Sequence, residues 1–299
     1  MAYRNLLIEN ATEISAANGQ LIVVRDDRYA LPIEDINSIL LENRFTKITT
    51  HALSELAKGN VTLYVCDEKH LPCAVMTPFM QNVRSTAVVK CQNDLTLPAK
   101  KRLWQQVAKA KIKNQSLCLD LLGYVSDSNY LQNLANDVNS GDTLNVEATA
   151  ANYYFKVLFG KGFTRDDDNI FNAALNYGYA IMRGNMAKLV AVYGLIPLLG
   201  IHHNSTVNSF NLVDDLMEPF RPVVDLFVAK NVQDNMVMNG ELKRCLYNLL
   251  NVDMEMGNLH YTVAYAEERM VQSYLRCIEG KSKEMLIPVL MELRQHSYE

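Results

Sequence analysis

Three groups of residues carry side chains of the kind that hold metal ions and move protons. In the segment SFNLVDDLMEPFRP, Asp215 and Glu218 lie three positions apart, on one helical face, with Leu212, Leu216 and Phe220 marking an adjoining apolar face. Two carboxylates at that spacing repel unless a cation or a proton sits between them. Pro219 and Pro222 each remove a helical hydrogen bond and crowd the carbonyl four residues earlier, those of Asp215 and Glu218, at about 3 kcal/mol apiece in a straight helix. A kink or break is therefore predicted at the acidic cluster, although a solvated acidic turn beside a helix stop explains the same residues.

Glu147 forms the second group. On a helix beginning at Leu144, the residues Leu144, Ala148, Ala151, Phe155 and Leu158 make the expected core stripe, and Glu147 borders it together with Ala151, Tyr154 and Leu158. Burying its carboxylate alone costs several kcal/mol, so it reaches water, pairs with a base or binds a metal. The third group is His202-His203 in LLGIHHNS, in a loop where Gly194 ends a helix, Pro197 prevents its continuation and Gly200 permits a sharp turn. Neighbouring side chains in an extended loop point to opposite sides, which keeps the two rings from one ion. An ordinary hydrogen-bonded histidine is the alternative at either position.

A divalent ion held by Glu147, one histidine and Glu218 would satisfy all three groups, with two hard oxygens, one imidazole nitrogen and open positions for water or phosphate. Such a set suits Mg2+ or Mn2+, and the absence of an H-E-x-x-H or zinc-finger pattern makes zinc the poorer choice.

A basic segment accompanies these acids. No Asp or Glu occurs between Leu95 and Leu119, where Lys100, Lys101, Arg102, Lys109, Lys111 and Lys113 are found. On a helix, Lys101, Gln105, Lys109 and Lys113 fall on one face, with Leu103, Val107 and Ala110 on another. The stripe reads either as a contact for phosphate backbones or as a solvated lysine-rich surface. Arg221, beside the acidic cluster, is compatible with the first reading.

The elements that must position these groups divide the chain in two. Residues 1–79 read as a small β-rich domain: short apolar runs at Leu6–Ile8, Leu21–Val24, Tyr29–Ile33, Ser38–Leu41, Val61–Cys66 and Pro72–Met76, an Asn18-Gly19 hairpin turn, and one helix over about Thr50–Lys58. Residues 80–97 read as a linker. From 98 to 299 the apolar spacing becomes helical, over Pro98–Leu122, Leu144–Phe159, Asn169–Tyr193, Ser209–Lys230, Glu241–Leu250 and Thr262–Glu279. The expected class is α+β.

Composition narrows the function. With 299 residues, 49% of them hydrophobic, the chain can bury a large core, and no apolar run reaches the roughly 20 residues of a membrane span. A cytoplasmic location and no membrane partner are expected. Six cysteines without a C-x-x-C pair signal neither a disulfide framework nor a structural zinc site, and a net charge of -4 argues against indiscriminate coating of nucleic acid.

Taken together, VEATAANYYF around Glu147, NAALNYGYAIMRG from Asn172, GLIPLLGIHH from Gly194 and DLMEPFRPVVD from Asp215 resemble the CRISPR-associated integrase family, in the form that belongs to type II systems. PIEDINSILLEN and LWQQVAKAKIKNQ add to the likeness, which spans most of the chain. The resemblance implies a β-sandwich-like dimerisation domain followed by a helical catalytic domain that binds one divalent ion. It implies Glu147, His203 and Glu218 as ligands and catalytic residues, with Asp215 and His202 supporting them. The implied chemistry is attack of a DNA 3′ hydroxyl on a phosphodiester at a CRISPR repeat, with nicking as a side activity. The implied partners are double-stranded DNA, a second copy in a homodimer, a small adaptation protein bridging two dimers, and other type II CRISPR components. A non-catalytic nucleic-acid-binding scaffold is the competing expectation.

Overall fold

A computed structural model describes residues 4–68, 72–76, 78 and 85–296. The chain forms two compact units, Met1–Asn82 and Val83–Glu299.

The first unit contains β1 (Arg4–Ile8), β2 (Glu13–Ala17), β3 (Gln20–Val24), β4 (Arg28–Pro32), β5 (Ile36–Leu41), β6 (Lys47–Ile48), α1 (Thr50–Lys58), β7 (Thr62–Cys66) and β8 (Pro72–Met76). They build two four-stranded sheets, in the orders β1-β5-β7-β8 and β4-β3-β2-β6. The β2–β3 hairpin turns at Asn18 and Gly19, whose positive φ angles of 52° and 73° suit a two-residue turn and set Ala17 opposite Gln20. Ile14 and Leu21 from one sheet share a single core with Ile39 and Leu63 from the other and with Leu56 of α1. Thr49 caps α1 by accepting from the Ala52 amide at 3.1 Å. Strand β2 was not expected from its apolar content, because Glu-Ile-Ser-Ala-Ala offers Ile14 alone as a large core residue.

The second unit contains α2 (Ser85–Asn93), α3 (Leu97–Leu121), α4 (Val125–Asp137), α5 (Val146–Phe159), α6 (Ile170–Val192), α7 (Asn211–Met217), a 3-10 turn at Glu218–Phe220, α8 (Arg221–Asn231), α9 (Gly240–Tyr247), β9 (Asp253–Met256), β10 (Leu259–Thr262) and α10 (Val263–Ile278). Helix α3 is central and packs against α4, α5, α8 and the 218–220 turn.

Several expectations need correction. Of the linker expected over 80–97, residues 80–84 lie outside the described residues, and most of the rest is α2. This helix buries only a narrow edge that includes Val88 and the polar Gln92, while the apolar Ala87 is exposed, so its periodicity is weak. Helix α4 was missed for a similar reason: only Ser128, Leu131 and Ala135 are buried in a segment rich in Ser, Asp and Asn. The β9–β10 hairpin interrupts the helices and reverses at Gly257-Asn258, both with positive φ.

The expected core stripe of α5 is also displaced. Leu144 lies outside the helix and is 71% exposed, while Val146, Ala150 and Tyr154 are the buried residues. The reason is a cap: the Asp142 carboxylate accepts from the amides of Val146 at 2.9 Å and Glu147 at 3.0 Å, so the helix begins two residues later than its apolar pattern suggests.

Candidate active site

Glu147 stands in the first turn of α5, fixed through its own amide by Asp142. Glu218 stands where α7 gives way to the 3-10 turn, the break predicted from Pro219 and Pro222. That break is anchored to α3 by Asn114, whose side-chain amide donates to the Pro219 carbonyl at 2.7 Å and to the Pro288 carbonyl at 3.0 Å.

The two carboxylates meet at one cation. Lys111, on α3, forms an ion pair with Glu147 Oε1 and a second with Glu218 Oε2, at 2.6 Å from Nζ. Its side chain is 11% exposed and that of Glu218 7%. Arg221 binds the other Glu218 oxygen, with Nε 3.0 Å from Oε1. Burial drives the Glu218 carboxyl upward, but Arg221 and Lys111 more than offset it and hold its pKa down to about 2. Burial likewise disfavours the Lys111 ammonium, yet Glu218 and Glu147 raise its pKa above the ordinary value. Both groups are charged.

The histidine loop is organised by Asp215, which is completely buried. Its Oδ2 accepts from the amides of Ile201 at 2.6 Å and His202 at 3.0 Å, and its Oδ1 accepts from the His203 amide at 3.2 Å and from His203 Nδ1 at 2.7 Å. The Asp215 bond is the main cause of a raised His203 pKa. With Nδ1 tied down, Nε2 is the nitrogen left for chemistry. Gly200 allows the loop to close this tightly, since a Cβ there would run into the His203 carbonyl oxygen and stand 2.8 Å from Asp215 Oδ2. Gln92 fastens the preceding residues by donating to the carbonyls of Ile196 at 2.9 Å and Leu199 at 3.0 Å.

The two rings do not diverge as an extended loop would require. His202 stacks on the buried Trp104 indole at 4.2 Å between centroids, and His203 meets the same indole edge-on at 5.8 Å. Behind Arg221, the Tyr179 ring lies 4.7 Å from its guanidinium carbon, and the Tyr179 hydroxyl donates to Asp225. Tyr154 donates to the second Asp225 oxygen at 3.1 Å.

The sequence places this arrangement in a known group. The model of "CRISPR associated protein Cas1" matches residues 6–246, and the chain is 38% identical to the CRISPR-associated endonuclease Cas1 of Neisseria meningitidis serogroup C (strain 8013) over the full length of both. The chain belongs to the Cas1 family. Among solved structures, a casposase bound to integration product covers 95% of this chain and 92% of its own at 19% identity, with a TM-score of 0.77. A chain of a Cas6-RT-Cas1–Cas2 complex covers 98% of this chain, over 36% of its own length, at 19% identity and a TM-score of 0.73. The β-rich amino-terminal unit and helical second unit are thus a Cas1 fold.

Within this Cas1-family chain the expected basic stripe is not one surface. Lys111 is corrected from a surface DNA contact to a buried partner of two acids, because α5 and the 218–220 turn pack over its side of α3. Lys100 donates to the Gly200 carbonyl at 3.2 Å, and Gln105 donates to the Val138 carbonyl at 2.7 Å. Lys101, Arg102 and Lys113 are exposed, Lys109 is half-buried, and Arg221 is turned into the site. Trp104, Asp142 and Asn114 were not singled out as site residues: an indole, a loop aspartate and an amide carry no signal until the elements that they join are known. Among the described residues, no helix is long and apolar enough to cross a membrane.

Proposed function

We propose that this Cas1-family chain is a divalent-metal-dependent DNA integrase and endonuclease that joins new spacer DNA to a CRISPR array by phosphodiester transfer, with nicking when water replaces the attacking 3′ hydroxyl. The observation that carries the reading is the convergence of Glu147 and Glu218 on a single cationic position, supported by a histidine whose Nε2 is free. Two carboxylates and an imidazole suit Mg2+ or Mn2+. Among the described residues no three His, Cys, Asp or Glu side chains enclose an ion as they stand, and the Lys111 ammonium fills the space between the carboxylates. Glu147, Glu218 and His203 would hold the metal, which when bound supplies Lewis-acid stabilisation of the charge that develops on a phosphate.

The chain's own residues do the rest. Asp215 fixes the His203 ring so that Nε2 is presented as a ligand or a proton carrier. Arg221 and Lys111 provide positive charge beside the position of the phosphate, and Lys101, Arg102, Lys109 and Lys113 supply backbone contacts along α3. The partners in this reading are double-stranded DNA, a second copy joined through the β-rich unit, a small adaptation protein that bridges two dimers, and other type II CRISPR components. The casposase bound to integration product and the Cas6-RT-Cas1–Cas2 complex share the fold and lend support to DNA and to a Cas protein as partners.

Strand-transfer assays with Mn2+ or Mg2+, partner supplied, test the proposal. Glu147→Ala, His203→Ala and Glu218→Ala should abolish transfer while leaving the fold and metal-free DNA binding largely intact, whereas His202→Ala should retain much of the activity. Wild-type transfer by Glu218→Ala would remove the metal assignment, and DNA binding without metal-stimulated transfer would favour a scaffold.

A further inference from the structure

The space between Glu147 and Glu218 already holds a positive charge. Lys111 forms ion pairs with both carboxylates, and Arg221 takes the remaining Glu218 oxygen. Two acids are thus matched by two cations, in a place where Lys111, Glu218 and most of Glu147 are shielded from water. An approaching divalent ion has to displace the ammonium from its partners and leaves the group with two excess positive charges. Such an excess in a poorly solvated site is costly, and an anion entering the same site relieves it. Under the function proposed above, that anion is a DNA phosphodiester.

We propose that Lys111 is a resident competitor for the metal position, making divalent-ion binding conditional on DNA. The two ligands are then linked reciprocally: DNA tightens the metal and the metal tightens DNA by the same factor. Lys111 acts here as a positioning and gating residue, retracting toward the phosphate when the ion takes its place. The segment KAKIKNQ, read from sequence as part of a basic surface stripe, supplies instead a charge that keeps two acids paired until substrate arrives. This inference rests on Glu147 and Glu218 forming the metal site.

The test is Mn2+ binding, read by loss of the free-ion paramagnetic resonance signal, on the full chain with and without a DNA duplex whose 3′ ends are blocked. In the wild type, DNA should tighten Mn2+ by a factor within the usual coupling range of about 5–150-fold. Lys111→Met should bind Mn2+ more tightly than the wild type in the absence of DNA, and DNA should add several-fold less. Lys111→Gln, a second neutral variant, should behave alike, and Mn2+ should raise the melting temperature of both by more than that of the wild type. Should neither variant fold, the wild type alone decides, because equal Mn2+ affinity with and without DNA overturns the inference. So does a Lys111→Met protein that binds Mn2+ no better than the wild type. Glu218→Ala separates the two levels: if it binds Mn2+ as the wild type does, the metal site itself is misplaced. Binding that requires Glu218 but ignores Lys111 sinks only the gate.

Discussion

His203 Nδ1 lies 2.7 Å from Asp215 Oδ1, and the same carboxylate gathers the backbone amides of Ile201, His202 and His203. One buried acid therefore sets both the path of the loop and the ring orientation of its histidine. Asp215→Asn keeps the shape but loses the charge and the obligatory Nδ1–H donation. Strand transfer should fall by about 10–100-fold, as is usual when the group orienting a ligand is lost. The direction with pH follows from the raised His203 pKa. The protonated ring cannot bind a metal, so the rate should climb as pH rises through a value above the ordinary one. In Asp215→Asn that limb should move to lower pH, as rate measurements across pH 5.5–9 would show, roughly the range in which imidazole titrates. An unmoved limb would place the titration elsewhere.

Trp104 supports both rings of the histidine pair. Trp104→Phe preserves an aromatic face and should keep transfer within several-fold of the wild type. Trp104→Ala opens a cavity under the loop and should cost about 3–5 kcal/mol of stability, with activity falling further than stability alone explains. Thermal melts and transfer rates on the two variants distinguish support of the loop from general core packing.

Gly200→Ala introduces a methyl where the His203 carbonyl and Asp215 already close the loop. The fold should persist with a loss of about 1–3 kcal/mol, the usual cost of overpacking, while transfer drops sharply. Full activity in this variant would mean that the loop opens in the working enzyme.

Glu267 provides a check unrelated to the reaction. It is completely buried on α10, held by the Asn185 amide at 2.7 Å, and burial raises its pKa to about 8, partly countered by Asn185 and Lys188. Between pH 4.5 and 8 the folded chain thus binds a proton that the unfolded chain has released, so this group's contribution to stability falls as pH rises through that window and levels off above it. Glu267→Gln should leave melting nearly unchanged at pH 5 and raise it at pH 8. Lys188, whose pKa burial lowers to about 8, contributes with the opposite slope above that pH, so the comparison is made between the two chains at each pH. A pH-independent difference in melting temperature would contradict the assignment.

The sequence by itself determined much of this protein. The change from two-residue to helical spacing between residues 79 and 98 marks a β-rich part and a helical part, because each element must turn its apolar side to a core. Asn18-Gly19 sets the hairpin, and Pro219 with Pro222 sets the break, because positive φ and a missing amide hydrogen are properties of the residues themselves. Glu147, Glu218 and the His202-His203 pair stand out as acids and bases whose types suit a metal, and the family resemblance is what implies His203 of the two.

What only the tertiary structure decided is how those residues are held. The start of α5 depends on Asp142, a cap that overrides the apolar pattern from Leu144. Trp104 receives two histidines from a loop about a hundred residues away. Lys111 shows the difference most plainly: its sequence neighbours make it one of a row of lysines, whereas its place on α3 beneath α5 and the 218–220 turn makes it the counter-charge of two acids. A side chain's charge is local and can be read from its type. The partner it meets depends on contacts between distant parts of the chain, and these exist only once the helices have packed.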